Sequence, residues 1–214
     1  GPQTWNWSDG FEAALNLDAL FPADGSRWST LQQVDPESGP NAGRLQMDTV
    51  AEGSQALAIR AMPSGMTLSK MNLEKGGFHA PEGSTVRAEA RFWFPAGPMP
   101  EYLLLMDLEC CSCWDPAVPD NQCPGLRLMF SPGPAGRDYL SIERGKILGS
   151  TMRQSVLRFP RERWVEVAWE SALSSSAGRN QLWVDGTLVL DSAGFNMPVS
   201  SAFTDTFALY GIAF

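Results

Sequence analysis

The sequence predicts an all-β protein, built as a two-sheet antiparallel β-sandwich with little helix. Three observations support this prediction. Apolar and polar residues alternate with a period of two in several short stretches, and turn residues separate these stretches. The 20 Gly and 16 Pro residues among 214 favour many turns over long helices. With 43% hydrophobic residues, the chain has enough apolar material to form a core.

The second half of the chain carries the clearest strand patterns. Strands are predicted at residues 85–94, 103–109, 126–130, 139–143, 163–170, 181–184, 187–190 and 203–214. Asp185 and Gly186 separate two of these strands and predict a hairpin, because a type I′ turn needs positive φ at both central residues. Short antiparallel strands joined by such turns are typical of sandwiches and jelly rolls.

The N-terminal part of the chain gives a weaker pattern. A helix is predicted over Asp9–Leu20, with Asp9 as its N-cap and Glu12 completing a capping box. The alternative is an N-terminal strand that starts near Phe11.

The organisation of the chain is predicted to be simple. Since there is no internal repeat and no linker, residues 3–214 are expected to form a single domain. Gly1 and Pro2 are interpreted as a scar left by removal of an expression tag.

Charge and composition exclude several classes of function. The formal net charge of −8 argues against a nucleic-acid-binding protein, which needs a basic surface. No apolar run approaches the roughly 20 residues of a membrane-spanning helix. The 8 Trp and 11 Phe residues argue against a disordered chain.

All four cysteines lie in one short stretch, at Cys110, Cys111, Cys113 and Cys123. An even number of cysteines in a loop rich in Pro, Asp and Asn predicts two disulfides and a secreted or cell-surface protein. A zinc site is the alternative, although the paired C-x-x-C spacing of zinc sites is absent, and free thiols are a third. Four cysteines allow three pairings, which the sequence does not distinguish.

Two motifs in the second half of the chain match a known superfamily. Phe159–Val167 contains a Pro followed by a Trp, and Gly178–Gly186 ends in Trp-Val-Asp-Gly. Together they resemble the signature of concanavalin A-like lectin/glucanase domains, which include laminin G-like modules, legume-type lectins, β-glucanases and jelly-roll polysaccharide lyases. The resemblance covers nearly the whole chain and implies a jelly-roll sandwich. Because this fold hosts many activities, function must be argued from the site.

The catalytic motifs of two enzyme branches in this superfamily are only partly matched. The lyases carry Gln-x-His on one strand, where this chain has no His, and Tyr-x-Lys-x-Gly-x-Tyr on a late strand. The late Tyr, Lys and Tyr positions correspond to Phe207, Leu209 and Ala213. The β-glucanases use Glu-x-Asp-x-Glu, which corresponds here to Leu105, Asp107 and Glu109. Since both chemistries need a complete acid and base set, we expect binding without catalysis.

Polar and aromatic residues on the predicted strands, with one in the cysteine loop, are the candidate ligand-binding residues. Those on strands alternate out of phase with the core residues, so they are predicted to share one concave sheet face. On this face Leu103 and Leu105 are expected beside Asp107. Arg127 is expected to pair with Asp107 or Glu109 when no ligand is bound, and ordinary structural ion pairs are the alternative. The candidates are Arg87, Arg91, Trp93, Asp107, Glu109, Trp114, Arg127 and Tyr139.

The predicted function is recognition of a polysaccharide or other glycan by a non-catalytic, monomeric module. The alternatives are a lyase or glycoside hydrolase with a divergent active site, and a protein-binding adhesion module with a broad apolar patch. No cofactor is expected to be required. A structural Ca²⁺ is common in the superfamily, and Asp9, Glu12 and Asp205 carry oxygen ligands of the kind Ca²⁺ prefers.

Overall fold

The computed structural model describes residues 4–66, 68–110, 125–144, 150–194, 196 and 208–214. Regular structure in these residues is almost entirely β-strand, since the helical segments are the short 3-10 turns Asp18–Leu20 and Pro134–Gly136. The all-β prediction is confirmed. Within the same residues, no helix is long and apolar enough to span a bilayer. The predicted candidates and motif residues that lie outside this description are Gly1, Pro2, Cys111, Cys113, Trp114, Cys123, Asp205 and Phe207.

The chain divides into two compact units. The first contains Gly1–Gly76 with Ala213–Phe214, and the second contains Gly77–Ile212. The division between Gly76 and Gly77 falls inside the long strand β4 (Lys70–Pro81), rather than in a linker. The single domain from residue 3 to residue 214 stays a prediction.

The first unit is organised around an aromatic cluster. Its strands form two antiparallel pairs, β1 (Thr30–Val34) with β4, and β2 (Ala42–Gln46) with β3 (Ala56–Arg60). Trp28 lies in the cluster and is 4% exposed. Its ring contacts Trp7 edge-on at 4.8 Å between centroids, and Phe11 and Phe214 at 6.0 and 5.9 Å.

The helix predicted over Asp9–Leu20 is wrong for most of its length. Phe11 and Ala13 have φ angles of 65° and 61°, which are incompatible with a right-handed helix. Glu12 does not cap a helix, because its carboxylate accepts a hydrogen bond from the backbone N–H of Ser54 at 2.9 Å. Long-range contacts therefore override the local capping pattern.

The second unit contains two antiparallel sheets. Their strands are β5 (Thr85–Trp93), β6 (Leu103–Glu109), β7 (Leu126–Pro132), β8 (Asp138–Arg144), β9 (Ser150–Leu157), β10 (Trp164–Ala172), β11 (Arg179–Val184), β12 (Thr187–Ala193) and β13 (Ala208–Ala213). In one sheet the order is β13-β6-β7-β8-β9, and in the other it is β12-β11-β10-β5. The predicted hairpin at Asp185 and Gly186 is confirmed, with φ angles of 48° and 76°.

The core of the second unit lies between these two sheets. Phe130 on β7 packs against Phe159 with 4.6 Å between ring centroids, and Phe94, just after β5, contacts both rings. Trp169 on β10 is 1% exposed, and its Nε1 donates a hydrogen bond to the Asn180 side chain. The other large, fully buried side chains of this core include Met106, Leu108, Leu126, Leu128, Leu140, Ile142 and Leu182.

A β-bulge in β6 changes the faces predicted for its residues. Leu103 opposes Phe130, whereas Asp107 opposes Arg127, and the register skips Leu105 between them. Since Phe130 faces the core and Arg127 faces away from it, Leu103 and Asp107 lie on opposite faces. The expectation that Leu103 lies beside Asp107 is wrong, because the extra residue Leu105 resets the alternation, and the pairing does not assign Leu105 itself to a face.

The cysteine prediction can be followed at one position only. Cys110 lies directly after β6 and is fully buried. Cys111, Cys113 and Cys123 lie outside the described residues, which therefore contain no pair of cysteines. The two disulfides stay a prediction.

Candidate functional site

The sheet that contains β6, β7 and β8 carries charged residues on the face opposite to the core. In the strand register, Asp107 on β6 lies opposite Arg127 on β7, and Arg127 lies opposite Glu143 on β8. Directly opposed residues project from the same face, so these three side chains form a row across the strands, here called the polar row. Glu109 follows two residues after Asp107, on the same face, and is 4% exposed.

The polar row contains a buried ion pair. Arg127 Nε donates to Asp107 Oδ2 at 3.2 Å, and the two side chains are only 9% and 4% exposed. The expected pairing of Arg127 with Asp107 is confirmed. Arg127 Nη1 is also buried and has no hydrogen-bond partner among the described residues. Because a buried unpaired donor costs about 1–3 kcal/mol, an additional acceptor at Arg127 Nη1 would be stabilising.

Glu143 ends the polar row and is also incompletely bonded. Its Oε1 accepts a hydrogen bond from Thr151 Oγ1 at 3.3 Å, whereas its buried Oε2 has no partner within the described residues. Burial raises the pKa of Glu143, although the Thr151 hydrogen bond and the charge of Arg127 act in the opposite direction. The buried Oε2 of Glu143 is therefore a carboxyl oxygen whose hydrogen-bonding capacity is unused among the described residues.

The polar face becomes more accessible toward β9. Ser141 on β8 accepts a hydrogen bond from Gln154 Nε2 on β9 at 3.2 Å. Gln154 and Thr151 are exposed, whereas Asp107 and Arg127 are buried. The exposed part of this face therefore lies over β9, where Thr151 hydrogen-bonds Glu143.

Sequence reasoning identified Tyr139 on β8 and missed the residues that follow it on the same face. Tyr139 is half-buried and opposes Val156. Ser141 and Glu143 share its alternation, so the same signal could have found them. Gln154 could not be found in this way, because β9 was not predicted as a strand.

Three predicted candidates lie on the other sheet. Arg87, Arg91 and Trp93 are on β5, which pairs with β10, whereas Asp107 and Arg127 are on β6 and β7. The prediction that all these residues share one concave sheet face is therefore wrong. Alternation gives the phase of side chains within a strand, but it does not assign the strand to a sheet.

The outward face of the β5 sheet is a partly exposed network of charges and rings. Arg87 pairs with Glu89 at 2.6 Å and with Glu170 at 3.6 Å, and its guanidinium lies 5.0 Å from the centre of the Trp183 ring. Trp93 is 37% exposed at the end of β5. Exposed pairs of this kind contribute little to stability.

The carboxylates suggested for calcium have other partners where they are described. Asp9 accepts two hydrogen bonds from Arg27, at 2.6 and 2.9 Å. The hydroxyl of Ser54 and two backbone N–H groups bind Glu12 and lower its pKa. No group of three or more His, Cys, Asp or Glu residues that could hold a metal occurs in the described part of the chain. Since Asp205 lies outside that part, calcium binding stays a prediction.

Comparisons with known proteins test the fold expected from the sequence. No protein-family model matches the sequence, and no curated protein matches it. The structure is similar to an endo-β-1,4-glucuronan lyase from the fungus Trichoderma reesei, with a TM-score of 0.62, 13% identity, and coverage of 87% of this chain and 77% of that chain. An endo-1,3-β-glucanase from Streptomyces sioyaensis gives a TM-score of 0.45, 13% identity, and coverage of 80% and 62%. The concanavalin A-like jelly-roll fold expected from the sequence is confirmed.

Proposed function

We propose that this concanavalin A-like jelly-roll protein binds a polysaccharide on the polar face that runs from the polar row to β9, without cleaving it. The observation that carries the proposal is the pair of buried, unpartnered atoms, Arg127 Nη1 and Glu143 Oε2. A sugar hydroxyl can accept a hydrogen bond from the first and donate one to the second. Because the two residues are opposed on neighbouring strands, one sugar unit could satisfy both once the side chains that cover these buried atoms move aside.

The dimensions of the face agree with an extended ligand. Neighbouring strands lie about 4.8 Å apart, so the four strands from β6 to β9 span about 14 Å. Ser141, Thr151 and Gln154 add hydroxyl and amide groups on the outer two strands. Several units of a linear saccharide could therefore be bound side by side with hydrogen bonds.

The fold supports a polysaccharide as the class of ligand. The glucuronan lyase with a similar fold is named for its action on a polysaccharide, and at 13% identity this likeness concerns the fold. The proposal includes a secreted or cell-surface location, a monomer, and disulfides among the four cysteines, as expected for an extracellular lectin-like module.

Polysaccharide cleavage is a second candidate function, favoured by the raised pKa of Glu143. A general acid works best when its pKa lies near the working pH, and burial of Glu143 moves its pKa in that direction. Asp107 supplies a second carboxylate two strands away, at roughly 10 Å between strand axes. Against cleavage, Asp107 is buried in an ion pair with Arg127.

The test is affinity electrophoresis in gels that contain glucuronan, alginate, β-1,4-glucan or β-1,3-glucan, with a reducing-end assay on the same polysaccharides. At least one polysaccharide should retard the parent protein. Glu143→Ala should lower the affinity about tenfold, because a charge-assisted hydrogen bond is lost, whereas Glu166→Ala on the other sheet should not.

The outcomes separate the two candidate functions. Binding without release of reducing ends supports a non-catalytic module. Release that disappears in Glu143→Gln supports cleavage instead. Equal retardation of the parent and Glu143→Ala would contradict a saccharide site at the polar row.

A further inference from the structure

A separate pocket of about 570 Å³ lies at the end of the strands in the second unit. It is formed by the hairpin between β7 and β8, the segment between β9 and β10, and the residues that follow β5. Its volume is within the range of small-ligand sites, about 300–1,000 Å³. Pro98, Pro132 and Pro160 give its wall apolar surfaces.

Arg161 and Asp138 form a rigid part of the pocket wall. Arg161 Nη2 lies 2.9 and 3.0 Å from the two carboxylate oxygens of Asp138, which is 3% exposed. Arg161 Nε donates to the carbonyl of Gly97 at 2.9 Å, and Nη1 donates to the carbonyl of Phe159 at 2.7 Å. This guanidinium therefore joins the three segments of the pocket and neutralises the carboxylate of Asp138.

Two other arginines line the same pocket, but unlike Arg161 they have no side-chain contacts among the described residues that hold the wall together. Arg137 and Arg158 are exposed, and neither side chain has a hydrogen bond or ion pair with another described residue. The charged lining residues are three arginines and one aspartate, which gives a net charge of +2. The chain as a whole has a net charge of −8, so the positive charge of the pocket is a local feature.

We infer that this pocket binds the carboxylate or sulfate group of an acidic saccharide, with Arg137 and Arg158 as the anion-binding residues. Guanidinium groups bind carboxylates and sulfates through two parallel hydrogen bonds, and the neighbouring proline surfaces can pack against the apolar face of a sugar ring. That the anion is part of a saccharide rests on the proposed function, whereas the anion site itself does not.

The pocket is distinct from the polar row. Asp138 in the pocket wall and Glu143 in the polar row are five residues apart on β8, which corresponds to about 17 Å along the strand. Asp138 and Glu143 also lie on opposite faces of β8, since they are separated by an odd number of residues. The two sites can therefore be tested with separate variants.

The experiment is calorimetric titration of the protein with a β-1,4-linked glucuronate tetrasaccharide and with cellotetraose, its neutral counterpart. The parent should bind the acidic compound more tightly. The double variant Arg137→Ala/Arg158→Ala should lose about tenfold in affinity for the acidic compound and keep its affinity for cellotetraose. A sulfated cellotetraose distinguishes carboxylate from general anion binding, and loss with either anion supports the inference.

The control variant is Arg60→Ala on β3, which removes another exposed arginine whose side chain has no partner among the described residues. It should bind both compounds like the parent. If it loses as much affinity as the double variant, or if the double variant binds both anions like the parent, the inference is overturned.

A Glu143→Ala variant separates this inference from the proposed function. If Glu143→Ala binds like the parent and the double arginine variant loses acidic binding, the pocket is supported and the polar-row function fails. If only Glu143→Ala loses binding, the polar-row function is supported and the pocket inference is wrong.

Discussion

Arg127 combines a structural and a proposed binding role in one side chain. Its Nε holds Asp107 in a buried ion pair, while its Nη1 is left for another acceptor. A buried pair adds little over apolar residues of the same size, but removal of one partner leaves an uncompensated charge. The stability of this region should therefore respond differently to single and double substitutions.

Arg127→Leu is expected to destabilise the protein by about 3 kcal/mol, because Asp107 would remain buried without its guanidinium. For a chain of this length, that corresponds to a fall in Tm of about 6–12 °C, measured by thermal denaturation with circular dichroism. The double variant Arg127→Leu/Asp107→Leu should recover most of the loss, and Arg60→Leu should change little. A single variant as stable as the parent would contradict a buried ion pair.

Glu143→Gln is expected to change the pH dependence of stability. Burial raises the pKa of Glu143 in the folded protein above its ordinary value of 4.5. The neutral Glu143 side chain is favoured in the folded protein. As pH rises from 4.5 through the folded pKa, its ionisation therefore lowers the free energy of unfolding of the parent. Glutamine does not ionise, so the Tm of the variant minus that of the parent should increase from about pH 4 to about pH 7.

Thermal denaturation across this pH range measures the effect. Glu89→Gln, an exposed substitution on the other sheet, is the matched control and should show a smaller change with pH. A Tm difference for Glu143→Gln that stays constant or decreases as pH rises would exclude the expected linkage.

The hairpin between β11 and β12 illustrates how an element is fixed by two residues. Both Asp185 and Gly186 have positive φ, as a type I′ turn requires. The Asp185 carboxylate also accepts hydrogen bonds from the backbone N–H of Glu166 at 2.9 Å and from Arg163 at 2.7 Å. The turn is thus tied to the neighbouring strand β10.

Gly186→Val is expected to destabilise the protein by about 1–2 kcal/mol, since a β-branched residue at φ 76° is strained. A Cβ at this position would have no neighbouring atom of the described residues within 4 Å, so the cost is conformational rather than steric crowding. The Tm should fall by about 2–8 °C. Gly186→Asn is the control, because Asn tolerates positive φ, and equal losses in both variants would contradict the explanation.

The predicted disulfides would constrain the segment that follows β6, which contains all four cysteines. β6 carries Asp107 and Glu109, and Cys110 follows buried at its end. A disulfide from Cys123 to one of the three earlier cysteines would close a loop of roughly ten residues and contribute about 2–3 kcal/mol. Such a bridge would hold the chain on both sides of this segment close to the polar row.

The prediction of two disulfides can be tested by alkylation under denaturing conditions, followed by measurement of the intact mass. Without reductant no cysteine should react, and after reduction four should react. Alkylation of all four cysteines without reductant would exclude the disulfides, and copurified zinc would support the metal alternative.

Most of the local structure of the second unit follows from sequence patterns, although β9 was not identified. Period-two alternation and turn residues identified β5, β6, β7, β8 and β10, and Asp185-Gly186 identified the hairpin, because both signals depend on neighbours in the chain. The pairing of Arg127 with Asp107 was also accessible, since their strands are consecutive. The resemblance of the Trp-Val-Asp-Gly region to concanavalin A-like domains identified the fold.

Which residues come together depends on contacts between segments that are distant in the sequence. Sheet membership separated Arg87 and Trp93 from Asp107, the bulge at Leu105 moved Leu103 to the core face, and the pairing of β8 with β9 completed the surroundings of Glu143. The physical reason is that strand pairing and bulges are set by contacts between distant segments. Alternation along one strand is compatible with either sheet and carries no information about its partners.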